Sequence, residues 1–475
     1  NWFVEIFIFN LFLCYFNIEV EQMKKYLSIY LLLLIVASCV PGSEQIDRNK
    51  EIEDFLNNIE EENKNDGPVI YSASWISSNF ITYYSQKVIA DYGTRYTLKS
   101  LERSREASAF DDVSTSAENR RMLNILKSSF VMPPPLNKEL ASELSSITTS
   151  LEAMYGSGEH CYEDGSCYDL EAFESIIDNS RDPEELLKAW QGWHEIGKPM
   201  KSMYMRMVDI GNQGSKDLGY QGLSDLWFSK YDMPADEFLN ETDRVWEEVK
   251  PLYDALHCHV RAKLNEHYGD NVVPESGPLP VHLLGNMWGQ SWSNIYDLVY
   301  TEESQQNSVD VTKIIEEKGL NEIEMVEYAE DFFLSIGFDP LPDTFWERSL
   351  FVKPRDRSVV CHASAWNLDP ANNDLRIKMC IEKNEEDFVT IHHELGHIFY
   401  YQAYNHLPTL FQGGANDGFH EAFGDLLTLS ITPDYLTQID FITEEQASVA
   451  KEDPIGLLMK QALDGVVVVP WALML

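Results

Sequence analysis

The residues with reactive chemistry come together as His393-Glu394-Leu395-Gly396-His397, within the stretch 389–400. On an α-helix, positions i and i+4 lie one turn apart on the same face. Two imidazoles so placed can both reach a tetrahedral Zn²⁺. Glu394 is turned about 100° from His393. That sets it beside such an ion, where a base acting on metal-bound water has to be. Histidine makes up only 12 of the 475 residues, so chance would place the pattern below about 0.05 times in a chain of this composition. The inert alternative is a pair of surface histidines beside a solvated glutamate.

A site of this kind that keeps one coordination position open needs a third protein ligand. Downstream, Gly413, Gly414 and Gly418 mark a loop. The stretch Phe419–Leu429 then reads as a second helix, apolar at Phe419, Ala422, Phe423, Leu426 and Leu427. Packed antiparallel on the first helix, it returns Glu421 to the metal and completes a His₂Glu set. Asp425 lies one turn further on the same face. It suits an acceptor for the free N–H of a ligand histidine.

The elements that must hold these groups are helical. Residues 70–130 carry a helical pattern with Trp75, Phe80, Tyr83, Tyr84 and Val88 on one side, and Pro133-Pro134-Pro135 interrupts it. Helical periodicity resumes over Lys138–Tyr155. Residues 182–213 read as one helix or two, opened by Asp182 at the cap and Pro183 in the first turn. Asp236–Tyr268 presents Trp246, Val249, Leu252, Leu256 and Val260 on one face, and Asn321–Ile336 is a further helix. Two short strands, 358–365 and 375–380, can pair as a hairpin beside the metal. No alternation is long enough for a large sheet, so the expected class is all-α with one small β-hairpin near the metal site.

Composition narrows the partners. A net charge of −42 with 44% apolar residues describes a globular chain whose field repels nucleic acid and disfavours anionic membrane surfaces. Met23, Lys24 and Lys25 precede an apolar run from Tyr26 to Ala37, too short to span a bilayer, followed by Ser38 and Cys39. This is the pattern of a lipoprotein-type export signal. The expected organisation is an upstream extension over 1–22, a signal over 23–38, lipid modification at Cys39, a tether over 39–66 and a catalytic domain over 67–475. The chain is then expected at the periplasm or cell surface, with no membrane attachment beyond the lipid. In such a compartment Cys161–Cys167 and Cys361–Cys380 are expected disulfides and Cys258 is left over. In a reducing compartment they would be free thiols. The apolar run from Val466 to Leu475 suggests a domain incomplete at its C-terminal end.

Longer motifs carry a family resemblance. They are His392-His393-Glu394-Leu395-Gly396-His397, the run 411–425, Cys361–Trp366, the run 282–299, Leu187–Trp193 and Met459–Asp464. Together they resemble the angiotensin-converting enzyme family of zinc dipeptidyl carboxypeptidases and its bacterial members, from about residue 50 to 475. The resemblance implies a gluzincin-type, two-lobed helical ellipsoid with a deep central cleft, acting on short peptides with a free C-terminus. It implies zinc ligands His393, His397 and Glu421, with Glu394 as general base. It also implies peptide contacts from His362, Ala363 and Ala365, a hold on the terminal carboxylate by Gln290, and a chloride contact at Tyr231. His194 stands where animal members have a chloride-binding arginine, which puts that chloride site in question. The family's proton-donor histidine and oxyanion-stabilising tyrosine fall beyond Leu475 and are not assigned. Rival readings are a single-residue carboxypeptidase of the same fold, a non-catalytic binding protein and an inactive fragment.

Overall fold

The computed structural model describes residues 43–473 apart from 157, 301–308, 358, 417 and 453. The expected extension 1–22, signal 23–38 and lipid site Cys39 lie outside the described residues. The chain opens with helices α1 (Ser43–Asn79), α2 (Tyr83–Ser108), α3 (Ala117–Ser128) and α4 (Lys138–Gly156). A short ribbon, β1 (Glu159–Cys161) and β2 (Cys167–Asp169), precedes α5 (Leu170–Asn179), α6 (Pro183–Gly197), α7 (Met200–Asp217) and α8 (Leu223–Phe228). Next come α9 (Ala235–Tyr268), α10 (Tyr296–Val299), α11 (Val311–Lys318), α12 (Glu322–Ser335) and α13 (Asp343–Arg348). The hairpin β3 (Ser364–Asp369) and β4 (Asp374–Lys378) leads into α14 (Glu385–Tyr404) and α15 (Phe419–Thr428). The last helices are α16 (Pro433–Gln438), α17 (Glu444–Glu452), α18 (Pro454–Gln461) and, after a π turn, α19 (Val468–Ala472). Among the described residues the fold is all-α with two small antiparallel sheets.

The chain divides into two compact units. The described part of one is 43–59 with Ala109–Arg121. There the Phe55 and Phe110 rings lie 5.7 Å apart and Arg48 donates to the Ala109 carbonyl at 2.9 Å. From Ser43 onward, the polar stretch 39–66 belongs to α1, with Ile52, Leu56 and Ile59 buried at helical spacing.

The other unit, Glu60–Ser108 and Met122 onward, contains two large apolar cores. One gathers Ile315, Met325, Phe333, Phe345, Leu375 and Ile377 around Phe388, Ile391, Leu395 and Phe399 of α14. The other gathers Phe173, Leu186, Trp193, Val260, Leu264, Met287 and Trp292 with Leu463 and Val467. The Trp292 amide donates to the Leu463 carbonyl at 2.7 Å, and the burial of Val467 covers part of the terminal apolar run.

Several local readings are refined. Residues 182–213 form two helices, and Asp182 caps the first by accepting from the Glu184 and Glu185 amides ahead of Pro183. On α9 the buried stripe is Leu256, Val260 and Leu264, whereas Leu252 is exposed, so the expected face is displaced towards the C-terminal half. Trp75 is buried, but Phe80, Tyr83, Tyr84 and Val88 are exposed. The helix breaks at 80–82, where Thr82 and Ser85 cap each other, and the period does not carry across. The first hairpin strand starts later than expected, and the second ends sooner. Asp369 accepts from Asn372, and Asn373 takes the left-handed conformation at φ 52°, closing the turn over 370–373. Pairing therefore runs from Asp369–Asp374 to Ser364–Lys378, and 359–363 lies outside the ladder.

Candidate metal centre

Asn384 caps α14 by accepting from the Asp387 amide. The face of Phe388, Ile391, Leu395, Ile398 and Phe399 is fully buried, and Phe399 stacks on Phe333 at 4.2 Å. His392 is buried as well, bridging the Phe388 carbonyl and the Tyr435 hydroxyl at 2.8 and 2.9 Å. Burial pulls its ring down to about 4, so it is a neutral structural link. The helix is thus locked in rotation, and its remaining face presents His393 and His397.

α15 reaches that face because two glycines meet at the crossing. A Cβ on Gly396 would stand 3.0 Å from the Gly424 Cα. A Cβ on Gly424 would stand 2.8 Å from His393 Nδ1. Any larger residue would force the helices apart or displace the imidazole.

The close crossing brings the predicted cluster together. Glu421 Oε2 lies 3.2 Å from His393 Nε2, and Oε1 lies 3.7 Å from His397 Nε2. One donor atom from each of His393, His397 and Glu421 falls within 4.8 Å of the others. Asp425 Oδ1 lies 3.0 Å from His393 Nδ1. Burial opposes a charge on His393, but hydrogen bonds to Asp425 and Glu421 outweigh it and raise its pKa to about 10. Both Nε2 atoms face the Glu421 carboxylate while both Nδ1 atoms are engaged elsewhere, so this donor set fits a metal ion.

Glu394 sits beside the cluster, 7% exposed, and its Oε2 has no hydrogen-bond partner. Burial pushes its carboxyl up to about 7, against the pull of His393. Lys378, 2% exposed, donates to the Val360 and His362 carbonyls at 2.5 and 2.8 Å. With the Cys361–Cys380 disulfide, it holds the non-ladder segment 359–363 against β4. His362 is exposed, and Ala363 and Ala365 are half-buried at the start of β3. Gln290 lies in the segment of the second core, with its Oε1 buried and unpartnered. Tyr231 lies near the foot of α15: a Cβ on Gly418 would be 3.6 Å from its hydroxyl. Asn416 donates to the Lys230 carbonyl and to Asp232. His194 packs on Trp190 at 3.8 Å and bonds that residue's carbonyl. Cys161 and Cys167 are joined, and Cys258 is free and exposed.

The sequence reading missed several contributors. His420 Nδ1 lies 3.2 Å from His397 Nδ1, and its Nε2 lies 2.9 Å from the Tyr404 hydroxyl. Lys378 gave no signal except a cation in an apolar strand. On the approach to α15, Glu60 accepts from the Thr409 amide and hydroxyl at 2.7 and 2.6 Å. Asn63 donates to the same hydroxyl, and Arg103 holds Asn63 and Glu62. The two Thr409 contacts join residues 346 and 349 apart, so no local spacing could reveal them.

A family model described as angiotensin-converting enzyme matches residues 46–475. Angiotensin-converting enzyme of Mus musculus is 37% identical over 409 residues, covering 84% of this chain and 30% of that protein. That of Sus scrofa is 41% identical over 339 residues, covering 70% and 25%. That of Haematobia irritans exigua is 34% identical over 427 residues, covering 88% and 69%. The chain thus spans a quarter to three-tenths of the length of these mammalian relatives. With a match over nearly its whole length, and a histidine and carboxylate cluster where the shared motifs lie, the chain belongs to the angiotensin-converting enzyme family.

Proposed function

We propose that this chain carries the metal-binding and proton-transfer machinery of a zinc peptidase that releases dipeptides from the C-termini of short peptides. The observation that carries this reading is the convergence of His393, His397 and Glu421 beside the buried Glu394. His393, His397 and Glu421 would hold zinc, which would supply Lewis-acid polarisation of a water and of the scissile carbonyl. Glu394 takes the proton of that water and passes it to the leaving amine. Its unpartnered Oε2 leaves it free to do so. Asp425 accepts the second N–H of His393 and orients the ring.

Around this centre, His362 and the backbone of Ala363 and Ala365 contact the bound peptide, Gln290 holds its terminal carboxylate, and Tyr231 contributes to a chloride site. The two disulfides support an exported protein. In this reading Met23–Ser38 directs export, and Cys39 takes a lipid. Among the described residues no helix is long and apolar enough to cross a membrane.

The test is Glu394→Gln. It is expected to keep zinc and to lose turnover of a pentapeptide by about 10²–10⁴-fold. Near-normal turnover would reject the assignment, and release of single residues instead of dipeptides would shift it to a carboxypeptidase.

A further inference from the structure

The two histidines of the cluster are supported unequally. His393 Nδ1 meets a carboxylate, Asp425, at 3.0 Å. His397 Nδ1 meets another neutral ring, His420, at 3.2 Å. We propose that His420, backed by Tyr404, is the positioning residue that fixes the tautomer and aim of His397 for metal binding. The inference rests on the metal-site reading above.

The hydrogen-bond directions follow from valence. His397 turns Nε2 towards Glu421 and must present a lone pair there, so its ring hydrogen sits on Nδ1. That N–H can only donate, which makes His420 Nδ1 the acceptor. The hydrogen of His420 is then on Nε2, where it donates to the Tyr404 oxygen at 2.9 Å. One tautomer at each ring satisfies the whole chain of contacts. The other tautomer of His420 would set two N–H groups against each other at 3.2 Å.

Packing holds the ring in that setting. His397, Tyr400, Tyr401 and Tyr404 share one face of α14 at helical spacing. Their rings lie 5.3, 4.6, 5.0 and 5.7 Å from that of His420. His420 is also the residue before Glu421, so the ring that docks on α14 anchors the first turn of the helix carrying the carboxylate. A single side chain therefore sets the aim of one ligand and the approach of another.

The test is the zinc dissociation constant of the full chain, measured by competition with a chromophoric chelator at fixed pH. His420→Phe keeps the ring packing but removes the acceptor, and it is expected to weaken zinc about 10–100-fold. His420→Asn places an amide oxygen near the Nδ1 position and is expected to recover most of that loss. Tyr404→Phe leaves the contact with His397 intact and is expected to cost only a few-fold. Nitrogen spectra of the labelled histidines should show His420 as the Nε2–H tautomer. His420→Phe with wild-type zinc affinity overturns the proposal. Equal losses for His420→Phe and His420→Asn, with both folded, also overturn it, because packing alone would then explain the effect. Failure of the wild-type chain to bind zinc would instead remove the metal-site reading beneath it.

Discussion

α14 buries ten of its residues, including Glu394 and His397, whereas α15 buries Gly424 and Leu427. The Glu421 and Asp425 side chains are 71% and 75% exposed. The histidine half of the centre is thus held by the core beneath it. The carboxylate half is held by contacts along its approach: the Gly396–Gly424 crossing, His420 on the tyrosine face, and Glu60 and Asn63 on Thr409. The difference separates two ways of placing a ligand. A buried ligand inherits its position from packing that also stabilises the fold. An exposed one costs the fold little to change but depends on tethers that must be specified one by one.

The largest effect should come from the packed half. Phe399→Ala removes a fully buried ring stacked on Phe333 and is expected to cost about 3–5 kcal/mol in urea denaturation. A cost under about 1 kcal/mol would show that the core does not hold α14. Glu421→Gln should do the reverse. Its stability is expected to stay within about 0.5 kcal/mol of wild type. Zinc affinity should fall by more than the roughly 10–100-fold typical of outer contacts. A loss of stability matching that of Phe399→Ala would erase the contrast between the halves.

The smallest effect sharpens the tether. Thr409→Val removes a hydroxyl donor from Glu60 and is expected to cost about 1 kcal/mol at neutral pH. Burial raises the Glu60 pKa, but hydrogen bonds from Thr409 and Lys64 outweigh it and hold the carboxyl below its ordinary value. A carboxylate with a depressed folded pKa stabilises the fold above its unfolded value, and that stability is lost as pH falls through the folded one. The gap between Thr409→Val and wild type should therefore close as pH falls through the depressed folded pKa of Glu60. A gap that persists in acid would mean that Thr409 acts through something other than the Glu60 charge.

Much of the site was legible because it is local. His393 and His397 share one helix face by spacing alone, with Glu394 turned to their side, and Asp425 follows Glu421 by one turn. The cap at Asp182 was legible for the same reason: side chain and amide are two or three residues apart. The hairpin was found but misplaced, since the turn geometry at Asp369 and Asn373 depends on backbone conformation that residue patterning does not report. The aromatic stripe from Trp75 to Val88 failed because a break at 80–82 reset the helical phase. His420 stood inside a recognised motif without a role, because its partners His397 and Tyr404 lie on another helix.

By itself the sequence determined a donor set that fits a metal: the donor types, the i,i+4 spacing of the histidines, the glutamate between them and the family to which those motifs point. Helical geometry is periodic, so residue spacing along one helix converts directly into a shared face. Only the tertiary structure decided that Glu421 arrives, how closely α15 approaches through Gly396 and Gly424, and that His397 leans on His420 rather than on a carboxylate. Those outcomes depend on the rotation and separation of two helices. These are set by packing summed over the whole core, which no local stretch encodes.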